Sequence, residues 1–477
     1  NYIYNDKYYA EASLRRDGSS KFKKAENRWG TFWSIGGGWR ITGENFMAGT
    51  KGWLDNLKLR ASYGVIGNQN GIGNYSGYLT WGYGATYTQT TAGNGIPASF
   101  TLSQGGFPND ALTWENTHTF DAGLDFSLFK RVHGTFDFYN KLNVNAVWDQ
   151  PIAISLGQAS LQKNSAKIQN RGIEVELNVD IIKKKDVFWT VALNGSTFTT
   201  VLKKVPPGVG SAALDGNWTA TADAWSIAGS GSSSGVTYLR GVDKDYYNLY
   251  VFKYAGVDEN TGLPLFYHKV TADDHANNLF KEVPVGKDAK TTNYSIASRY
   301  EVGSAIPDWI GGFNTTFRYK NFDFTGMLAY QLGGKFYSTE YGNGMYRSNN
   351  VGGTLSAELI GNTWTPDNKN AKFPMAMYGN TYGDGSTFGS WLYTDMALFN
   401  ASYLNIKNLS LGYNLPEALL TKYKISNLRF YVSADNVYML TSHSGIDPRM
   451  TLVGGFDVGA YAYPSMRTVS FGVNLDF

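Results

Sequence analysis

Hydrophobic and polar residues alternate with a period of two along much of this chain. In the last segment Val469, Phe471, Val473, Leu475 and Phe477 fall on one side, and Ser470, Gly472, Asn474 and Asp476 on the other. Successive side chains of an extended strand point to opposite faces, so such a run predicts a strand with one apolar face. The pattern recurs at Leu57, Leu59, Ala61 and Tyr63, at Phe120, Ala122, Leu124, Phe126 and Leu128, and at Ile173, Val175, Leu177, Val179 and Ile181. Between the members of the last set lie Glu174, Glu176, Asn178 and Asp180, which gives one greasy face and one wet one. Twelve strands are predicted, near 7–15, 30–41, 56–66, 115–128, 131–145, 167–182, 186–198, 308–319, 322–333, 398–414, 427–441 and 465–477. Where Tyr403, Asn405 and Lys407 give way to Asn408, Ser410 and Gly412, the phase slips and a bulge is expected.

A soluble sandwich also alternates, so connection lengths have to separate it from a membrane barrel. Tight turns are expected around Lys130 and Arg131, from Lys183 to Asp186, and at Lys320 and Asn321. Between them lie long stretches rich in Gly, Ser, Asn and Tyr, at about 67–113, 142–166, 199–307, 334–397 and 442–463. Short turns at one end and long loops at the other are the habit of transmembrane barrels, whose turns are periplasmic and loops extracellular. The strand parity puts Phe477 at the short-turn end. The expected fold is all-β, an antiparallel transmembrane β-barrel.

Composition supports this. Gly accounts for 55 of 477 residues and aromatics for 15%, with only 13 Pro, which favours strands, turns and aromatic belts. Trp39, Trp189, Tyr413 and Tyr438, at strand ends, suit the membrane interfaces. No apolar stretch of about 18 residues exists, which excludes a helical membrane protein. The 42 Lys and Arg nearly balance the 39 Asp and Glu, so no nucleic-acid surface is expected. The absence of Cys excludes a disulfide scaffold, a thiol nucleophile and Cys-based zinc sites. His118, His133, His268, His275 and His443 are scattered, without the spacing of a zinc helix, so no metal is expected. The run Gly36, Gly37, Gly38 precedes neither a helix pattern nor a Lys with Ser or Thr, which argues against a phosphate loop. No catalytic constellation or cofactor motif stands out. The chain opens at Asn1 without a charged segment and apolar core, so either a signal peptide was removed or the sequence begins inside a longer polypeptide.

The ordered motifs carry a resemblance. They begin with Tyr4, Asp6, Lys7, Tyr8, then Leu14, Arg15, Asp17, Gly18, Ser19, Ser20, Lys21 and Phe22, followed by Ser34, Gly38, Trp39, Arg40, Glu44 and Phe46. Arg60, Tyr63, Gly64, Gly67, Asn68 and Gln69 come next, then Trp114, Glu115, Gly123 and Asp125, Asn170, Gly172 and Glu174, and Trp364 to Asn368. Ala401 to Leu404, Asn408, Gly412, Tyr413, Leu415, Pro416, Asp435, Asn436, Gly445, Asp447, Pro448, Tyr463 and Pro464 complete the series. Together they resemble the SusC-like TonB-dependent transporters of the Gram-negative outer membrane, nearly end to end. Members carry an N-terminal extension, a TonB-contacting box and a plug before a 22-stranded barrel. The resemblance therefore implies the C-terminal portion of a barrel, with the plug and about ten strands outside this sequence. Two departures stand out. Position 449 is Arg where many relatives carry an acid, and Gly256 to Gly262 replace an Asn, Gly, Asp-rich loop, which puts a shared ion site there in doubt.

The resemblance implies TonB-dependent import of oligosaccharides or oligopeptides, with no enzyme activity of its own. The implied partners are a SusD-like lipoprotein acting as a lid, the TonB-ExbB-ExbD complex reached through the absent N-terminal region, outer-membrane lipids, and the barrel-assembly machinery, whose sorting signal Phe477 resembles. Loop aromatics Tyr75, Tyr78, Trp81, Tyr83, Trp218, Trp225, Tyr341, Tyr346, Trp391 and Tyr393 offer flat faces for sugar rings or peptide side chains. Packing within the loops alone also accounts for them. Arg60, Glu174 and Glu176 lie on the polar side and are candidates to face the plug. Glu174 and Glu176 share a strand face, as acid–base pairs can, but an aqueous lumen needs no such reason. The alternatives are a stand-alone twelve-stranded barrel, acting as a channel or surface enzyme without a plug, and a secreted β-rich adhesin or propeller.

Overall fold

The computed structural model of the chain describes residues 1–83, 102–104, 107–156, 160–205, 224–228, 237–338, 341–342, 345, 355–376, 394–421, 424–443, 445–449 and 465–476. One antiparallel sheet of 13 strands organises it, each strand hydrogen-bonded to the next in chain order. The strands are β1 (Tyr2–Tyr4), β2 (Tyr8–Gly18), β3 (Trp29–Arg40), β4 (Leu54–Asn68), β5 (Glu115–Leu128), β6 (Val132–Pro151), β7 (Ser160–Lys183), β8 (Val187–Lys204), β9 (Trp309–Tyr319), β10 (Phe322–Leu332), β11 (Tyr403–Asn414), β12 (Asn427–Thr441) and β13 (Thr468–Asp476). All twelve expected strands are present. The extra one, β1, is turned onto β2 through Asn5 and Asp6, both at φ near +50°, the conformation of a tight hairpin turn. At the next short turn Phe129 and Lys130 adopt the same left-handed region. Phe129 N–H donates to the Trp53 carbonyl and Lys130 N–H to Asp55 Oδ2, which holds two residues that would otherwise avoid it.

Strands β6, β7 and β8 have 20, 24 and 18 residues, longer than the alternation predicts. A strand needs only about 9–11 residues to cross hydrocarbon. Beyond that height both faces meet water and the alternating signal fades. In the other direction the expected strand at 398–414 is divided. Leu398–Asn400 pairs with Lys335–Tyr337, and the wall strand starts at Tyr403.

The registers align the apolar positions into continuous rows. One runs Trp39, Leu59, Leu124, Phe136, Val175 from β3 to β7; another runs Phe317, Phe324, Leu411, Val432, Phe471 from β9 to β13. These side chains do not form a protein core. Leu14 is 77% exposed, Ile35 58% and Phe471 83%. The expected bulge is observed, since Met327 pairs Asn408 while Leu328 pairs Ile406, leaving Lys407 as the extra residue. A second bulge, not anticipated, skips Ile181 between the pairs Trp189–Ile182 and Thr190–Asp180, so Ile182 rather than Ile181 holds the apolar row.

The buried hydrophobic clusters lie beyond the long-loop ends of the strands. Phe252, Phe266, Ala297, Met345 and Phe373 form one, and Tyr238, Leu249, Ala305, Tyr337 and Ala397 another, joining the loop after β8 to the loop after β10. Phe22, Phe32, Ile72, Leu112 and Trp114 tie the loops after β2 and β4. The stretches at 199–307 and 334–397 thus contain folded structure, including a three-stranded sheet of Tyr254–Val257, Pro264–Lys269 and Asp288–Thr291.

On the polar face two ion pairs reach across an intervening strand. Arg60 of β4 meets Asp137 of β6 over Gly123 of β5, and Arg429 of β12 meets Asp323 of β10 over Gly412 of β11, with Arg429 Nη2 2.5 Å from the carboxylate. A β-carbon at 123 would lie 2.5 Å from Arg60 Cζ, and one at 412 would lie 2.6 Å from Asp323 Oδ1. Only glycine leaves room for the guanidinium at either crossing. Gly123→Leu is expected to displace Arg60 and destabilise the folded protein by roughly 1–3 kcal/mol, less than the loss of a fully buried pair because a third of the Arg60 side chain reaches water. Denaturant unfolding followed by heat-modifiable gel mobility would show it, and an unchanged midpoint would contradict the role given to Gly123.

Candidate functional site

The polar face concentrates acid on β5, β6 and β7. Asp121 and Asp125, two residues either side of Gly123, share its face, as do Thr135 and Asp137 on β6 and Glu174 and Glu176 on β7. Arg60 stands among them. Its Nε donates to Asp125 Oδ1 at 3.0 Å, its Nη2 to Asp137 Oδ2 at 2.7 Å, and its Nη1 lies 3.7 Å from Asp121. One guanidinium fork thus ties three carboxylates, a geometry that suits Arg and not Lys. Glu174 pairs across strands with Asp137, and Glu176 with Thr135. The structure therefore brings all three polar-face candidates, Arg60, Glu174 and Glu176, onto one stretch of wall. Asp121 and Asp137, unremarked in the sequence, and Asp125, noted there only as a motif residue, complete it. Their signal was the alternation itself, with Asp121, Gly123 and Asp125 falling between Ala122, Leu124 and Phe126.

Beside this network a recess of about 500 Å³ opens, lined by Asp137, Glu174, Glu176, Asn194, Ser196 and Gln331 among others. Gln331, on β10, is only 1% exposed. Its Nε2 donates to the Ala401 carbonyl at 3.1 Å, and its Oε1 has no hydrogen-bond partner.

The loop aromatics divide. Tyr75 and Trp81 are 69% and 61% exposed and present open ring faces. Tyr78 is less open, and the Lys23 ammonium lies 5.4 Å from its ring. Tyr341 packs against Phe399 at 4.9 Å, and its hydroxyl donates to Glu358 at 2.9 Å. Burial and that carboxylate push its pKa up. Its ring is thus part of the loop interior. Tyr83 and Trp225 lie in strands Trp81–Tyr83 and Ala224–Ala228, with side chains outside the described residues. Trp218, Tyr346, Trp391, Tyr393 and Phe477 also lie outside them.

Folding brings one His together with a Ser and an Asp. His268 Nε2 lies 2.8 Å from Asp274, and its Nδ1 lies 3.5 Å from Ser298 Oγ. Ser298 is 1% exposed and its Oγ accepts from Lys269 N–H, while Asp274 belongs to the capping box of the helix Ala272–Ala276. A nucleophile must reach a substrate carbonyl; this hydroxyl is buried, so the trio acts as a packing strut. Among the described residues no group of three His, Cys, Asp or Glu is placed to hold a metal.

The departure at Arg449 has a clear structural role. The guanidinium forks onto Asp447, with Nε at 2.9 Å and 3.1 Å from its two oxygens, and Nη2 donates to Ser465 at 2.9 Å. Burial alone would raise the Asp447 pKa, but the hydrogen bonds and charge of Arg449 outweigh it, and the carboxyl is held below its ordinary value.

A family model described as TonB dependent receptor-like, beta-barrel, matches residues 1–261. The chain belongs to this family. Over its whole length it is 29% identical to TonB-dependent receptor P3 of Formosa agariphila, covering 45% of that protein, and 28% identical to TonB-dependent receptor SusC of Bacteroides thetaiotaomicron, covering 43%. A solved structure of the RagAB peptide transporter superposes with a TM-score of 0.77 at 26% identity, over 99% of this chain and 46% of that one. The chain thus spans less than half the length of the relatives it matches. No helix among the described residues is long and apolar enough to cross a membrane, which says nothing of strands. The all-β, SusC-like barrel expected from the motifs is what the comparisons show.

A depressed carboxyl pKa stabilises the fold above the unfolded value, near 3.9, and that contribution is lost as pH falls through the folded value. The stretch around Asp447 is therefore expected to become protease-sensitive only below about pH 4. Arg449→Gln is expected to make it sensitive at pH 7, read as cleavage within 445–449. Equal cleavage of wild type and variant at pH 7 would refute the assignment.

Proposed function

We propose that this chain forms part of the wall of a TonB-dependent importer in the outer membrane of a Gram-negative cell. The observation that carries the reading is the pairing of a continuous, exposed apolar face with an ionic polar face on one meandering sheet, in a family of TonB-dependent receptors. A soluble sandwich would bury the first face, and a passive slab would not need the second. The polar face then lines the lumen, where Arg60, Glu174 and Glu176 abut a plug supplied by a segment outside this sequence. The long loops are extracellular and dock a SusD-like lipoprotein that closes over the substrate. Energy from the inner membrane, relayed through TonB-ExbB-ExbD, displaces the plug and lets the cargo pass.

The cargo class is oligosaccharide or oligopeptide. Support for peptides comes from the likeness to a peptide transporter, and Tyr75 and Trp81 are the described loop aromatics open enough to stack on either cargo. The loops after β8 and β10 share cores, so they would meet the lid as a formed surface rather than as separate flexible strands.

The full-length protein is expected in the detergent-extracted outer-membrane fraction, with cargo uptake abolished when TonB is deleted. Tyr75→Ala with Trp81→Ala is expected to weaken cargo binding about tenfold, as loss of two stacking faces would. Uptake unaffected by TonB loss would favour a passive channel, and recovery in buffer without detergent would overturn the membrane assignment.

A further inference from the structure

The short-turn end of the sheet is basic. Lys130 and Arg131 lie where β5 meets β6, Lys183, Lys184, Lys185 and Asp186 where β7 meets β8, and Lys320 between β9 and β10, so Asp186 is the one acid among six cations. Lys424, in the connection from β11 to β12, extends the series. Lys183 is paired with Asp180 at 3.1 Å. Lys130, Arg131, Lys184, Lys185, Lys320 and Lys424 are exposed and form no ion pair with any described residue.

Three of these lysines are held at a conformational cost. Lys130, Lys320 and Lys424 have φ of 54°, 52° and 57°, in the left-handed region that Gly, Asn and Asp occupy most readily. Half of the ten described non-glycine residues with positive φ are Asn or Asp; three of the other five are these lysines. A turn that only reversed the chain would be better served by Asn or Gly, so the strain points to a use for the ammonium groups.

Backbone bonds set the turns side by side. Asp180 N–H donates to the Arg131 carbonyl at 2.8 Å, Lys320 N–H to that of Asp186 at 2.7 Å, and Asn414 N–H to that of Asn321 at 2.8 Å. Turns two strands apart lie about 10 Å from each other, so the cations form one band along the rim. On the apolar face an aromatic row, Tyr319, Phe322, Tyr413 and Phe430, runs across β9 to β12 beside that band. The Phe322 and Tyr413 rings are 4.6 Å apart, and the Lys320 ammonium stands 5.5 Å from the Tyr319 ring. Such rings sit at headgroup level, which puts the neighbouring cations beside the lipid phosphates.

We propose that this band binds the phosphate groups of anionic phospholipids in the leaflet its turns enter, the inner leaflet of the outer membrane. The inference rests on the membrane-wall reading and adds a lipid class to it. An anionic headgroup supplies the charge that the rim lacks, and the band continues directly from the face that meets acyl chains. Phosphatidylglycerol fits; phosphatidylcholine brings an ammonium of its own to the rim.

The test places the full-length transporter in phosphatidylcholine vesicles with a trace of spin-labelled phosphatidylglycerol or spin-labelled phosphatidylcholine, and electron spin resonance reads how much of each the protein surface holds. Wild type is expected to hold phosphatidylglycerol about fivefold more strongly at low salt, and less so at high salt. The rim variant Lys130→Asn, Lys184→Gln, Lys185→Gln, Lys320→Asn, with Asn at the two positions of positive φ, is expected to bring that preference below about twofold. If it does not fold, Lys184→Gln with Lys185→Gln, outside the left-handed region, is expected to lower the preference by about half. A control of equal charge, Lys281→Gln, Lys287→Gln, Lys290→Gln, Lys369→Gln, alters exposed lysines of the long loops and is expected to keep it. No preference in wild type, a preference that survives in the rim variant, or an equal loss in rim variant and control would each overturn the proposal, the last because net charge and not the rim would then decide. Heat-modifiable mobility reports that each barrel is folded. Failure to enter vesicles would contradict the membrane-wall reading, whereas entry without lipid preference contradicts this inference alone.

Discussion

The constraint on which this structure depends is that one sheet must satisfy two solvents at once. Hydrocarbon offers no hydrogen bonds, so every backbone group in a membrane-spanning wall has to be paired within the sheet, and the outward side chains have to be apolar. Water on the other side asks for the opposite. A strand meets both demands through its period of two, and the registers of β2 to β13 carry that alternation from strand to strand without inversion. The result reverses a soluble protein. The wall's large apolar residues are exposed, and the packed hydrophobic cores belong to the loops.

The polar face shows what an aqueous lumen permits. Arg60 and Arg429 each cross a strand over a glycine to reach an acid. Such contacts stitch three strands together by side chains in addition to the backbone ladder. They also place charge at fixed points of the polar face. Arg449 uses the same chemistry in a loop, where its fork on Asp447 secures the chain beyond β12.

The wall was legible in the sequence because hydrocarbon imposes its pattern one residue at a time. Every expected strand was found, and the bulge at Lys407 was visible as a phase slip. The bulge at Ile181 was hidden, because Ile181 and Ile182 are both apolar and either could continue the row. The loop structure was hidden for a different reason. Strands such as Asn248–Phe252 are buried on both sides and show no alternation, and their partner Arg299–Ser304 lies some fifty residues away. The recess needed the fold as well. Glu174 and Glu176 were noticed as a pair, but Gln331 comes from a strand about 150 residues later, and nothing local marks its unmet carbonyl.

The central claim is that alternate residues of one strand meet lipid and water. This sequence has no cysteine, so each introduced one is unique within it. Nitroxide labels placed singly from Ile173 to Val179 in the membrane-embedded protein would be probed with oxygen, which collects in lipid, and with a water-soluble nickel complex. The account predicts strong oxygen collisions at Ile173, Val175, Leu177 and Val179 and strong nickel collisions at Glu174, Glu176 and Asn178. Collision with nickel at every position, or with neither probe at the apolar ones, would contradict it.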